Sequence, residues 1–183
     1  MDRRQRKSRD AIFHAFIGLL AEKDAAHITV GEIIDRADVG RATFYAHFET
    51  KDFLLRDLCE DLFCHIFDAV HEDGDEHRHL FCCDAPDSVF LHLFRHLKQD
   101  DNRILTLLSG RNAMLFLPYF RAGLSRLVED RLPLFEGRRP ADLPHEFWVR
   151  HIVSVFVETL RWWTDGGLRE SPETITDYFL KTV

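Results

Sequence analysis

Between positions 41 and 51 the chain sets Arg41, Thr43, Tyr45, His47 and Lys51 around the rings of Phe44 and Phe48. These polar side chains share one chemistry: all donate hydrogen bonds. An arginine offers two parallel donors that match the O6 and N7 edge of guanine, while tyrosine, histidine and lysine suit phosphate oxygens. Ala42, Thr43 and Ala46 are small enough for the backbone to come close to the floor of a groove. Upstream, Thr29 opens a helix whose amides and dipole favour another phosphate. The chemistry is that of a surface for double-stranded DNA.

Other chemistries find less support. Cys59, Cys64, His65, His71, His77, His79, Cys82 and Cys83 are all metal-binding types, but their spacing matches no ligand pattern. Cys64 and His65 are adjacent, so they point to different faces of a helix, and five residues separate Cys59 from Cys64. Buried small cysteines and a solvated His-rich loop account for them. Cys82 and Cys83 have only Arg78 as a basic neighbour, a weak basis for a sensing thiol. No glycine-rich phosphate loop and no nucleophile elbow occurs. The expectation is a protein that is not an enzyme, with no cofactor and no metal.

The elements that must hold these residues read as helices throughout. Of 183 residues, 45% are hydrophobic and 30% charged, ordinary for a globular chain. Ile12, Phe13, Phe16, Ile17 and Leu20 form one apolar stripe; Val30, Ile33, Ile34 and Ala37 form a second. "TVGE" puts Thr29 at N-cap and Glu32 at N3, a capping box. After a break at 38–40, residues 41–48 make a short third helix, with Phe44 and Phe48 anchored toward Ile33 and Ile34. Lys51 opens a fourth, with Leu54, Leu58, Leu62, Ile66 and Val70 inward. Further helices are expected at 87–99, 102–108, about 111–132 with Pro118 inside, 144–164 and 172–181. The fold class is all-α with about nine helices. Helices 29–37 and 41–48 have the length and turn of a helix-turn-helix, although that pattern by itself also suits a polar helical hairpin. Before them Arg3, Arg4, Arg6 and Lys7 have no apolar partner and are expected to be disordered without DNA, adding non-specific affinity.

"TVGEIIDRADVGRATFYAHFETKDFLL" resembles the DNA-binding region of the TetR/AcrR family of transcriptional regulators, over roughly residues 8–57. The run "TFYAHFETK" is the most specific part. The resemblance implies phosphate contacts from Thr29, Tyr45, His47 and Lys51, and base contacts from Arg41, Ala42 and Thr43. Gly40 stands where the family usually has a small residue or serine, so a hydroxyl contact is lost there. It also implies a division into a DNA-binding domain, 1–50, and an effector-binding and dimerisation domain, 51–183.

Charge follows the same division. The first 56 residues hold 10 Lys or Arg and 9 Asp or Glu; the rest hold 14 and 22. A basic tip on an acidic body points to a polyanion at one end. In the second part Phe90, Phe94, Met114, Phe116, Tyr119, Phe120, Trp148 and Phe156 offer a pocket for an unknown small-molecule effector, though Phe-rich packing in a chain with 16 Phe suits each equally well. The helix 145–164 is apolar over so wide an arc that it must be buried on two sides. One side can be its own domain and the other a second subunit, so Val149, Val153, Val157 and Leu160, with Phe179, are expected to face a partner in a homodimer; a central helix in a monomer's core is the alternative. No apolar run is long enough to span a bilayer, and a cytoplasmic protein is expected. "LRWWTDGG" and "SPETITDYFLKTV" are similar to regulators related to the activator of dihydroxyacetone kinase operons. Some of these act through another protein, so a coregulator without its own operator is the alternative.

Overall fold

The computed structural model describes residues 3–71, 88–99, 105, 107–108, 110 and 112–183. Among them are eight α-helices and no strand: α1 (Arg3–Glu22), α2 (Val30–Ala37), α3 (Arg41–His47), α4 (Lys51–His71), α5 (Val89–Gln99), α6 (Ala113–Asp130), α7 (His145–Asp165) and α8 (Pro172–Thr182). The all-α reading holds, one short of the expected nine. The helix expected at 102–108 lies largely outside the described residues, as does much of the Cys/His-rich segment. Of that segment, Cys59 is buried, which raises its thiol pKa, and Cys64 is exposed.

Helices α1 to α3 form one unit. The stripe of Ile12, Phe13, Phe16, Ile17 and Leu20 is buried as a single face, and Ile33 packs under it. The capping box forms: Thr29 Oγ1 accepts from Glu32 N at 3.2 Å, and Glu32 Oε2 accepts from Thr29 N at 2.9 Å. Asp38 closes α2 in the left-handed conformation at φ 52°, which turns the chain into α3.

The N-terminal arm differs from expectation. It is helical from Arg3, because its residues are good helix formers and Ser8 ties the first turns. The Ser8 hydroxyl reaches the carbonyls of Gln5 at 2.9 Å and Arg4 at 3.2 Å, and bonds His47 of α3 at 2.8 Å.

Behind this unit α4 runs against α6, α6 and α8 pack against α7, and α5 meets α7 through the rings of Phe94, Phe156 and Trp163. Phe94 stacks on Phe156 at 4.6 Å; Phe90 meets Phe179 at 5.0 Å, and Phe156 meets Phe179 at 5.2 Å. Phe116, Phe120 and Phe63 extend the row toward α4. These neighbours cover most of the apolar arc of α7. Val149, Val153, Val157, Leu160 and Phe179, expected at a dimer interface, are buried within the single subunit. The outer face of α7 carries Phe147 and Trp162, 57% and 54% exposed, with Tyr178 of α8 beside Trp162 at 6.3 Å.

Contact between α4 and α6 depends on Gly123. A Cβ there would lie 2.1 Å from the Phe63 ring. Gly123→Ala should therefore cost about 1–3 kcal/mol by overpacking, and Phe63→Leu should restore much of it. Urea unfolding of the single and double variants checks this.

Candidate nucleic-acid interface

The short helix α3 is two-sided because of two aromatic residues. Phe44 and Phe48 are 0% and 1% exposed, and Phe48 packs edge-on against Phe13 of α1 at 5.3 Å. Phe13 is a partner that local spacing could not supply; the expected Ile33 and Ile34 form only part of the seat. Arg9 fixes the corner. Its guanidinium lies 4.6 Å over the Phe13 ring and 5.9 Å from Phe48, and it pairs with both oxygens of Asp61 on α4. Salt bridges of this forked type hold direction as well as charge. Arg9 thus belongs to the scaffold, although it lies in the basic N-terminal run.

The opposite face of α3 stands outward. Arg41, Ala42 and Ala46 are exposed, Tyr45 is 51% exposed, and Thr43 is half-buried. Gly40 caps α3 without any side-chain hydrogen bond. An open groove of about 620 Å³ runs between α1 and α3, with Arg4, Gln5, Ser8 and Arg9 on one wall and Ala42, Thr43, Ala46 and His47 on the other. Ala42, Thr43 and Ala46 thus share one groove with Arg4, and Arg41 and Tyr45 are exposed on the same helix.

Three expected phosphate donors are engaged elsewhere. His47 is half-buried and hydrogen-bonded to Ser8; burial, and then the charge of Arg9, lower its pKa. It is a brace between α3 and α1. Thr29 spends its hydroxyl on Glu32 at 3.0 Å, inside the capping box. The Glu32 carboxylate also pairs with Lys23, and this bond, followed by those to Thr29, holds its pKa down at about 2. Negative charge therefore already sits on the first turn of α2. Lys51 donates to the carbonyls of Ala25 at 2.8 Å and Ile28 at 2.9 Å, which leaves one of its three N–H groups for any other partner.

Lys51 reaches a turn that is also held from α6. Asn112 is buried: its Oδ1 accepts from Ala25 N at 2.9 Å, and its Nδ2 donates to the carbonyls of Leu20 at 2.8 Å and Lys23 at 3.2 Å. The 3-10 turn Ala25–His27, which leads into Thr29, is thereby clamped between α4 and α6. Nothing local marks Asn112, which sits 87 positions from Ala25. Beside the clamp a cleft of about 380 Å³ is lined by Phe16, Ala25, Lys51, Asp52, Leu55, Leu115 and Tyr119.

The expected effector residues divide. Phe90, Phe94, Phe116, Phe120, Trp148 and Phe156 are buried, and the five phenylalanines pack ring on ring. Met114 is 82% exposed and Tyr119 lies on the cleft beside Lys51, so these two stand apart from that cluster. No described helix is long and apolar enough to cross a membrane.

Known proteins are similar to this chain. Residues 12–58 match the model of the bacterial regulatory proteins of the tetR family, and residues 84–183 match a transcriptional regulator C-terminal region. A TetR transcriptional regulator from Streptococcus agalactiae 2603V is 37% identical, with 100% of this chain and 96% of that one covered and a TM-score of 0.70. NalD of Pseudomonas aeruginosa, the secondary repressor of the MexAB-OprM multidrug efflux pump, shares the fold at 21% identity, covering 97% of this chain and 94% of NalD, with a TM-score of 0.64. YxbF of Bacillus subtilis (strain 168), an HTH-type transcriptional regulator, is 25% identical over 99% of this chain; the chain spans 46% of its length.

The capping box makes a prediction. The Glu32 pKa is lower folded than unfolded, so its stabilisation is complete above about pH 4.5 and is lost as pH falls toward 2. Glu32→Gln should be less stable than the parent at pH 7, and the difference should shrink by pH 3. Thr29→Ala should cost about 1 kcal/mol at neutral pH. Denaturant titrations at the two pH values measure both.

Proposed function

The chain belongs to the TetR family of bacterial transcriptional regulators, and on that premise we propose that it is an effector-responsive repressor that binds a palindromic operator as a homodimer. The observation that carries this is the two-faced α3. Its phenylalanines are buried, Phe48 against Phe13 of α1, while Arg41, Ala42, Tyr45 and Ala46 are exposed, and Ala42, Thr43 and Ala46 line a groove with Arg4. Residues 1–50 act as the reading head. Arg41 takes a guanine edge, Ala42 and Thr43 touch neighbouring bases, and Tyr45 holds phosphate. Gly40 lets the backbone approach without adding a contact.

The roles of Thr29, His47 and Lys51 are indirect in this reading. Thr29 orients the first turn of α2, His47 sets the angle of α3 against α1, and Lys51 fixes the turn between α1 and α2. Residues 51–183 supply the dimer and the effector response. An effector that parts the Phe90, Phe94 and Phe156 cluster would shift α4 and, through Lys51 and Asn112, the turn that positions α2 and α3. The exposed apolar surface of Met114, Leu115 and Tyr119 on α6 favours a second reading, in which the fold acts through a protein partner.

Arg41→Ala should weaken binding by about 1–3 kcal/mol at one base pair per half-site and relax the choice there. Arg4→Ala should reduce affinity for all sequences alike and lower the slope of log affinity against log salt by about one. Lys51→Ala should lower thermal stability together with affinity, with little change in that slope. Titrations against operator variants at several salt concentrations check all three. Uniform behaviour of Arg41→Ala across the variants would refute its role.

The apolar side chains that stay exposed on α7 provide a test of the dimer. Phe147→Glu with Trp162→Glu should yield folded monomers with much weaker operator binding. Val153→Glu should unfold the subunit instead, because it is buried within it. Light scattering and circular dichroism separate these outcomes.

A further inference from the structure

Two histidines that DNA recognition leaves unused lie inside the second domain. His92 and His96 are one turn apart on α5 and are 1% and 2% exposed. Their Nε2 atoms approach to 2.9 Å, with ring centroids 4.7 Å apart. Phe90 and Phe94 of the same helix join the aromatic cluster with Phe156 and Phe179. Two residues further along a helix lies about 200° around its axis, so the histidines occupy the opposite face, and that face is buried too.

We propose that His92 and His96 form a chelating site for a divalent ion of the first transition row, of the zinc, nickel or copper type. Side chains four apart on a helix share a face, and imidazole is a preferred ligand for these ions. Two nitrogens at about 2.0–2.1 Å from a tetrahedral zinc stand roughly 3.3 Å apart. The observed 2.9 Å needs only a small rotation of the two rings. In the metal-free pair one Nε2–H donates to the other Nε2. On binding, that proton moves by way of solvent to Nδ1 of the same ring, both Nε2 lone pairs face the ion, and no net proton is released.

Among the described residues no third His, Cys, Asp or Glu completes a cluster with them. Two imidazoles leave two positions of a tetrahedral ion to water, a small oxygen donor or another side chain. It would also clamp one turn of α5, which packs against α4 and α8. Any effect on the operator rests on the regulatory reading above, whereas metal binding does not, and it is measured without DNA.

The test is calorimetric titration of the chelator-stripped full chain with Zn²⁺. One ion per chain is expected, with affinity lowered at least about 10–100-fold in His92→Gln and in His96→Gln, the range that loss of even a supporting residue costs. Electron spin echo spectra of the Cu²⁺ form should show two coupled imidazoles, and this reading of the parent protein decides the matter even if a variant fails to fold. No uptake of Zn²⁺, equal affinity in both folded variants, or a thiolate charge-transfer band in the Co²⁺ form would each overturn the site.

Discussion

The peptide of Ala25 is held at both poles, and the position of the reading head depends on it. Its N–H goes to Asn112 of α6 and its carbonyl to Lys51 of α4. The same asparagine takes up carbonyls at the end of α1, and the same lysine takes up Ile28, next to the cap of α2. Four segments therefore meet at one short turn. Removing either side chain leaves buried polar groups without partners, at about 1–3 kcal/mol for each. A set of bonds this interdependent moves as a unit, which is the condition for passing a displacement from one domain to the other.

On the far side of that turn the scaffold is aromatic. Phe13, Phe44 and Phe48 lock α3 by its inner face, with Arg9 lying over the rings and pinned to Asp61. A helix of only seven residues is not stable alone. Its rigidity comes from these contacts, and this leaves its outer residues to be chosen for what they meet. Small residues at 42 and 46 permit approach, and Arg41 and Tyr45 supply donors.

Much of this was legible in local spacing. The capping box, the break at Asp38, the burial of Phe44 and Phe48 and the outward set of Arg41, Ala42 and Tyr45 all follow from neighbours within a few residues. What was not legible depends on distant partners. His47 and Lys51 read as phosphate donors by residue type, and their bonds to Ser8 and to the carbonyls of Ala25 and Ile28 come from partners that local spacing does not show. Asn112 has no signature at all. The wide apolar arc of α7 implies two buried sides, but its local pattern does not say how much of that burial its own subunit supplies. Two large aromatic residues, Phe147 and Trp162, mark the remaining face, and they stand at its ends. The basic arm was read as disordered because its side chains lack apolar partners, while its backbone propensity and the bond from Ser8 to His47 favour helix.

The account stands or falls on whether α3 reads bases. Selection of binding sites by the full chain from a pool of random duplex DNA measures this directly. The account predicts an enriched two-fold symmetric sequence, with a guanine in each half-site whose preference disappears when the selection is repeated with Arg41→Ala. A pool that remains random after repeated rounds, although the protein is folded and dimeric, would contradict it and move the function to a protein partner.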